Sequence, residues 1–272
     1  MPKCFLYSQR GGQMVNEEKR CNDLTGKEWL QNSFSIWRDL VKTQEEKAFK
    51  HPASYPVSLC EKLIRTFAKK GCNVLDPFNG IGSTMTACHN LQCRGTGIDL
   101  SEEFSKIARE RIDGDEKINI IVGDSFAELD KLGANSYDLC VTSPPYWDIL
   151  NMKRSADMKE SVNYSDKEND MGNIPDYYDF IRLLGDLFEK VNRCLKVGGY
   201  CLVNVMDIRK KNKFYPLHSD LAAEMQRRGY IFDDIIIWDR QNDYNNMRPL
   251  GFPYKFRINK VHEYILIFIK EK

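Results

Sequence analysis

The residues best suited to chemistry lie in one short stretch, from Tyr137 to Trp147. An apolar run with strand character ends at Thr142 and is followed by a serine and two consecutive prolines. Proline has no backbone N–H and cannot continue a central strand, so the chain must leave the sheet here and form a loop. Two aromatic residues, Tyr146 and Trp147, follow at once. Such a loop can bind a planar group that carries an amine, because its oxygen atoms accept from N–H groups while an aromatic ring stacks on the face.

This stretch resembles a known catalytic motif. Residues Thr142-Ser143-Pro144-Pro145-Tyr146-Trp147 are similar to the motif of S-adenosylmethionine-dependent amino-methyltransferases, which methylate an exocyclic nitrogen of cytosine or adenine in DNA. The resemblance also places the serine next to the cofactor. It implies a catalytic centre of four consecutive residues, Ser143, Pro144, Pro145 and Tyr146.

A second stretch, Asn73 to Thr84, has the pattern of a cofactor-binding turn. A short apolar strand ends in Asp76, and Gly80 and Gly82 flank a tight turn that leads into a helix. Glycines let a ligand approach the backbone closely, so the pattern indicates Rossmann-like binding. The third glycine of the dinucleotide fingerprint is absent, because Met85 occupies its position.

Three acidic residues end three successive predicted strands. Asp99 follows Asp76 by 23 residues, and Asp124 ends the next strand. Such strand ends meet at one edge of a parallel sheet, where an acid at the position of Asp99 reaches a pair of ribose hydroxyls. The pattern therefore indicates an adenosine group across this edge. Strand-end acids that coincide by chance are the alternative.

The family resemblance extends to this region and covers about residues 50–150. It implies that the motif beginning at Asp76 binds the methionine part of S-adenosylmethionine, that Asp99 binds the ribose and that Asp124 faces the adenine amine. A proline-containing turn before the preceding helix is implied to lie beside the methionine end. The implied cofactor-binding residues are His51, Pro52, Asp76, Pro77, Phe78, Gly80, Gly82, Ser83, Thr84, Asp99, Asp124 and Ser143.

Composition predicts one catalytic domain. The chain has 272 residues, 42% of them hydrophobic, which is enough for one substantial core with little left for a second large domain. No apolar run approaches the roughly 18 residues of a membrane span, and the N-terminus has no apolar signal region, so we expect a cytosolic protein. The nine cysteines contain no C-x-x-C pair and are expected to be reduced, and no metal is expected.

Further segments frame the two motifs. We expect an N-terminal arm over residues 1–50, with a short strand held down by Trp29 and Trp37, and a catalytic domain over residues 51–272. The largely polar insertion at residues 151–174 is predicted to be a mobile loop, either a lid that orders on substrate or a variable insertion.

The C-terminal half completes the predicted sheet. Apolar residues at helical spacing between Tyr177 and Leu195 predict a core helix, which Lys196-Val197-Gly198-Gly199 is expected to end before a buried strand at residues 200–207. Two later apolar segments, 232–238 and 261–268, predict an antiparallel pair. The expected fold class is α/β: a Rossmann-like class I methyltransferase with a mostly parallel twisted sheet and a C-terminal antiparallel hairpin.

A basic segment follows the last predicted parallel strand. Residues 209–260 contain eleven basic and six acidic side chains, although the whole chain has a net charge of only +1. Aromatic residues lie among the basic ones, and a basic run at the active edge of the sheet favours nucleic acid. We expect residues of about 207–260 to contact double-stranded DNA, with a solvated loop as the alternative. The sequence leaves a homodimer open.

The predicted reaction is methyl transfer to an amine of a flipped base. The amine lone pair is conjugated into the ring, so Ser143 Oγ and the Pro144 carbonyl are expected to accept its N–H groups and aim the nitrogen at the methyl group. Tyr146 is expected to stack on the base, which must leave the duplex. The resemblance favours cytosine N4, because Ser143 stands where many adenine enzymes carry an acid or an amide. Adenine N6 is the alternative; an RNA guanine-N2 methyltransferase and a catalytically silent cofactor-binding or nucleic-acid-binding protein are weaker ones. His262 and Glu263 resemble the family's last motif, without an assigned role.

Overall fold

The computed structural model describes residues 20–38, 40–49, 54–147, 171, 174–243 and 249–271. The predicted cofactor residues His51 and Pro52 lie outside the described residues. So does the predicted loop at 151–174, except for Met171 and Ile174.

Eight strands of the described chain form one sheet, in the order β1-β9-β10-β6-β5-β2-β3-β4. Strands β2, β3, β4, β5 and β6 all run parallel to one another, whereas β10 is antiparallel to both β6 and β9. This arrangement confirms the predicted mostly parallel sheet with a C-terminal antiparallel pair. The strands, including the separate hairpin β7–β8, are β1 Ile36–Trp37, β2 Asn73–Asp76, β3 Arg94–Asp99, β4 Ile118–Val122, β5 Tyr137–Thr142, β6 Leu195–Val205, β7 Ile208–Lys210, β8 Lys213–Tyr215, β9 Tyr230–Asp239 and β10 His262–Lys270.

Helices cover both faces of the sheet. One hydrophobic cluster joins the sheet to α3, α4 and α5, and the other joins it to α6, α7 and α8. Neighbouring residues of β5 belong to different clusters, Leu139 to the first and Cys140 to the second, because successive strand side chains point to opposite faces. The helices are α1 Gly26–Asn32, α2 Gln44–Ala48, α3 Val57–Phe67, α4 Ser83–Asn90, α5 Glu102–Arg111, α6 Ser125–Lys131, α7 Tyr177–Cys194 and α8 Leu217–Arg227.

The predicted Gly-Gly turn after the core helix is wrong. Strand β6 begins at Leu195, directly after α7, and continues through both glycines to Val205. Gly198 has a φ of +76°, and the register between β5 and β6 shifts beside it. A Cβ on Gly199 would lie 2.8 Å from the Lys196 carbonyl oxygen and 3.0 Å from that of Asp138. The glycines therefore accommodate an irregular strand start, not a turn.

The N-terminal segment joins the sheet through one of its two predicted anchors. Trp37 in β1 is only 1% exposed and pairs in parallel with Trp238 of β9. Trp29 is 50% exposed, and α1 has no buried residue, so its predicted anchoring role is wrong. The short strand itself is confirmed.

One edge of the sheet collects the segments that the sequence predicts to carry chemistry. Parallel strands end at a common edge, so the turns after β2, β3, β4, β5 and β6 all lie there. Because β10 is antiparallel to β6, its first residues lie at the same edge, as do the end of β9 and the hairpin β7–β8. We call this the C-terminal edge.

Within the described ranges, no helix combines the length and apolar character needed to cross a membrane. The same residues contain no group of three or more His, Cys, Asp or Glu side chains arranged to hold a metal ion. Cys88, Cys140 and Cys201 are buried free thiols, as the sequence predicts.

Candidate active site

Asp76 is a fully buried carboxylate at the end of β2. Its Oδ1 accepts from the Thr142 hydroxyl at 2.6 Å and from the Phe78 backbone N–H at 3.0 Å. Its Oδ2 lies 2.6 Å from the Thr84 hydroxyl and 3.0 Å from that of Tyr55. Burial raises the pKa of Asp76, and these donors oppose that rise. Four neighbours occupy the acceptor sites of the carboxylate, which therefore joins the ends of β2 and β5 to α4.

The two glycines of the turn after β2, Gly80 and Gly82, are required for different reasons. Gly80 has a φ of +52°, and its N–H donates to Oδ2 of Asp99 at 2.7 Å. Gly82 has a φ of +81°, and a Cβ built on it would lie 2.7 Å from the Cβ of Ala108 in α5. Gly82 is therefore required for the close packing of α4 against α5, and its role in cofactor binding stays a prediction.

Other polar groups of this motif also face the protein. The Ser83 hydroxyl donates to the Tyr55 carbonyl oxygen at 2.8 Å, and the Pro77 carbonyl accepts from the Ser125 hydroxyl at 2.5 Å. Phe78 is half-buried and packs on the cluster that contains α7. These contacts determine the shape of the turn.

Asp99 and Asp124 come together at the ends of neighbouring strands. In the register of β3 and β4, Asp99 lies opposite Val122, two residues before Asp124. Asp99 is buried and accepts from the Ser101 N–H at 2.8 Å as well as from the glycine turn. Asp124 is half-buried and caps α6, with its Oδ1 3.0 Å from the Phe126 N–H. Carboxylate oxygens accept from hydroxyl and amine groups, which are the groups that a ribose and an adenine amine present.

The loop after β5 holds its serine and its tyrosine in contact. Ser143 Oγ lies 3.0 Å from the Tyr146 hydroxyl, which donates to Oε2 of Glu263 at 3.0 Å. The amide nitrogen of Asn204 lies 3.1 Å from the same hydroxyl. Pro144, which lies between Ser143 and Tyr146 in the sequence, is buried. The hydroxyl of Tyr146 is therefore bound by protein groups on several sides.

Glu263 is the centre of this network. It is buried at the start of β10, where its Oε2 also accepts from Asn204 Nδ2 at 2.5 Å and its Oε1 forms an ion pair with Arg240. Burial of the Tyr146 hydroxyl, and then the Glu263 charge, raise the pKa of Tyr146 well above its ordinary value. The phenol therefore keeps its proton at neutral pH.

Sequence reasoning assigned no role to Asn204 or Glu263, and it counted Arg240 only among the basic residues of the predicted DNA-contacting segment. The available signal was a polar residue within an apolar strand: Asn204 lies between Val203 and Val205. Pairing between β6 and β10, in which Tyr264 lies opposite Val205, brings Asn204 and Glu263 together from positions 59 residues apart.

Trp147 does not lie free to stack on a ligand. Its indole N–H donates to the Ile174 carbonyl at 2.8 Å, and its ring contacts those of Tyr177 and Tyr215 at centroid distances of 5.4 and 5.0 Å. The Lys210 ammonium lies 4.2 Å from the ring centroid. Of the two aromatic residues considered for stacking, Trp147 is therefore an anchor of the loop, with an uncommon φ of +51°.

A basic and aromatic surface adjoins the loop at the C-terminal edge. We call residues 208–215 and 249–260 the basic-aromatic surface; together they contain seven Lys and Arg residues and no Asp or Glu. Arg257 joins the two segments by donating to the Lys211 carbonyl at 3.1 Å and to Asn212 Oδ1 at 2.7 Å. Three aromatic side chains project from it: Phe252 is 75%, Tyr254 95% and Phe256 90% exposed.

Comparison with known proteins identifies the family. A sequence model described as DNA methylase, for enzymes of the N6/N4 type, matches residues 7–110 and 137–272. The chain belongs to this DNA methylase family. S-adenosylmethionine is its cofactor, and the sheet described above is the Rossmann-like methyltransferase fold.

Individual relatives match over shorter ranges. The chain is 31% identical over 169 residues to the type II methyltransferase M.MjaI of Methanocaldococcus jannaschii, covering 56% of this chain and 55% of the relative. It is 39% identical over 85 residues to the type II methyltransferase M2.DpnII of Streptococcus pneumoniae, covering 31% and 32%. The chain thus spans about a third to about half the length of these relatives. Among solved structures, TrmN from Thermus thermophilus is 17% identical with a TM-score of 0.49, covering 80% of this chain and 50% of that one.

Proposed function

We propose that this protein transfers a methyl group from S-adenosylmethionine to the exocyclic amine of a flipped base in double-stranded DNA, with cytosine N4 as the preferred acceptor. The observation that carries the proposal is the contact between Ser143 and Tyr146 within the two-proline loop. The loop leaves the sheet at the same edge as the carboxylates of Asp99 and Asp124.

The residues present fit the cofactor. Asp99 would accept from ribose hydroxyls and Asp124 from the adenine amine, since both carboxylates lie at the C-terminal edge of the sheet. The Gly80 turn, which Asp76 holds through the Phe78 N–H, would lie beside the methionine part. When bound, S-adenosylmethionine supplies a methyl group on a positively charged sulfur.

The catalytic loop prepares the amine for attack. Ser143 Oγ and the Pro144 carbonyl accept the two amine N–H groups and draw the nitrogen lone pair out of conjugation with the ring. The ring of Tyr146 stacks on the flipped base, while its hydroxyl is held by Glu263 and Asn204. Extrusion of the base costs a few kcal/mol, which stacking and phosphate contacts offset.

DNA binding is assigned to the basic-aromatic surface, within the segment 207–260. Seven cations without a single acid match a phosphate backbone, and the surface adjoins the catalytic loop through Lys210 and Trp147. Exposed aromatic side chains such as Tyr254 add faces on which unpaired bases stack.

The acceptor base is tested by mass spectrometry of nucleosides from DNA treated with the protein and S-adenosylmethionine. N4-methylcytosine supports the preferred reaction, and N6-methyladenine supports the second candidate, whose amine has the same two N–H groups. No methylated nucleoside in the DNA while labelled cofactor still binds would contradict the proposal, as would methylated guanosine in RNA treated in the same way. Ser143→Ala is the control for contaminating activity.

A further inference from the structure

The hydroxyl of Ser143 can point its hydrogen toward the substrate or away from it. A hydroxyl has one hydrogen to donate and two lone pairs that accept. An amine that presents N–H groups is bound only if the serine oxygen presents lone pairs. The direction of this single hydrogen therefore decides whether the loop is ready for an amine.

The contacts behind the loop determine that direction. The Arg240 guanidinium only donates, and its partner, the Glu263 carboxylate, only accepts. Oε2 of Glu263 lies 3.0 Å from the Tyr146 hydroxyl, so the one phenol hydrogen points to the carboxylate. If Tyr146 donated to Ser143 instead, its oxygen would face the carboxylate oxygen at 3.0 Å without a hydrogen between them.

Asn204 favours the same direction of these hydroxyl hydrogens. Its Nδ2 donates to both the Glu263 carboxylate and the Tyr146 oxygen. A flipped amide would place Oδ1 2.5 Å from a carboxylate oxygen, so the carboxylate selects this orientation. The buried Oδ1 of Asn204 has no hydrogen-bond partner within the described part of the chain. An amide placed only to satisfy its own groups would not leave a buried acceptor unpaired.

We propose that Glu263 and Asn204, acting through the Tyr146 hydroxyl, are positioning residues that turn the Ser143 hydrogen toward Tyr146 and leave both serine lone pairs for the target amine. The inference rests on the proposed function and deepens it. The network therefore fixes the direction of the Ser143 hydroxyl hydrogen before substrate arrives. Tyr146 has two separate roles: its ring stacks on the base, and its hydroxyl orients the serine.

Tyr146→Phe isolates the hydroxyl, because the ring remains. We expect the single-turnover rate of methyl transfer to fall by about 10- to 100-fold, the range found when a residue that orients a metal ligand is removed. Affinities for S-adenosylhomocysteine and for DNA should be unchanged. The matched control is Tyr137→Phe, which removes a buried hydroxyl that donates to Thr96 at 3.0 Å from the opposite end of β5 and should retain the wild-type rate.

A double-mutant cycle tests the route. In a Ser143→Ala background, Tyr146→Phe should cause no further loss of rate, since no serine hydrogen remains to be oriented. Glu263→Gln should lower the rate in the wild type and have little added effect on Tyr146→Phe. If Glu263→Gln fails to fold without its Arg240 partner, the cycle of Tyr146 and Ser143 decides alone.

The outcomes separate this inference from the proposed function. Absence of methylated nucleoside from wild-type protein overturns the proposed function. Wild-type methylation with an equally fast Tyr146→Phe variant overturns only the assigned direction of the Ser143 hydrogen. Multiplicative losses in the cycle of Ser143 and Tyr146 also overturn it, because the hydroxyl would then act independently of the serine.

Discussion

The hydroxyl of Thr142 donates to Oδ1 of Asp76 over 2.6 Å and so joins the last residue of β5 to the last residue of β2. The first strand leads into the proposed catalytic loop and the second into the proposed cofactor turn. One buried hydrogen bond thus connects the backbone proposed to present the amine acceptors to the backbone proposed to lie beside the methionine part of the cofactor.

Thr142→Val should destabilise the protein with little change of side-chain shape. Loss of a donor to a buried carboxylate costs about 1 to 3 kcal/mol of unfolding free energy. Chemical denaturation measures this value, and Thr86→Val is the control, since its half-buried hydroxyl donates to the carbonyl of Gly82, the residue directly before α4. Equal stability of Thr142→Val and wild type would show that this hydrogen bond does not hold the strand ends together.

Ionisation of Asp76 should contribute to the pH dependence of the unfolding free energy. Burial raises its pKa in the folded protein above the unfolded value of about 3.9. A raised folded pKa means that the folded state binds the proton more tightly, so this contribution stabilises the fold below the unfolded pKa and is lost as pH rises through the folded pKa. The unfolding free energy of wild type relative to Asp76→Asn should therefore decrease as pH rises from about 4. A difference that increases over this range would contradict the direction.

Asp99→Ala should weaken cofactor binding. The substitution removes the proposed acceptor for the ribose hydroxyls and also releases the Gly80 N–H. Calorimetric titration with S-adenosylhomocysteine measures the effect, and Asp233→Ala, on an exposed part of β9, is the control. Unchanged affinity of the Asp99 variant would refute the ribose assignment.

Ser143→Ala and Tyr146→Ala should separate chemistry from capture of the base. Loss of the serine acceptor should lower the methylation rate by about 10²- to 10³-fold while cofactor affinity survives. Loss of the tyrosine ring removes roughly 1 to 3 kcal/mol of stacking per base. A DNA mismatch at the target eases flipping and should rescue Tyr146→Ala more than Ser143→Ala. Equal rescue of both would argue against these two roles.

Neutralising the basic-aromatic surface should reduce the salt dependence of DNA binding. Each phosphate contact contributes about −0.9 to the slope of log affinity against log salt. Replacing Lys255, Arg257 and Lys260 by alanine should make this slope shallower, as measured by fluorescence anisotropy. Lys106→Ala, exposed on α5, should leave it unchanged. A wild-type slope in the triple variant would place the phosphate contacts elsewhere.

Local motifs were readable from the sequence because each depends on a few neighbouring residues. The two-proline loop at Ser143 and the strand-end acids Asp99 and Asp124 follow from short-range rules about where strands stop. Glu263 and Asn204 acquire their role only when β10 pairs with β6, and nothing local specifies that register. Gly82 was found as a turn residue, but its packing against α5 required knowledge of a helix neighbour.

The short strand β1 has a consequence for association. On the side away from β10, β9 pairs only with the two residues of β1, Ile36 and Trp37, so most of its length is an edge strand. In the middle of β9, Asp233 and Asp234 are exposed, and charged residues discourage another strand from adding to an edge. Near the end of β9, the apolar residues Ile237 and Trp238 precede Asp239 and are covered by β1. A chain shortened to begin after residue 38 would therefore expose an apolar edge of β9. It should self-associate or aggregate more than the full chain.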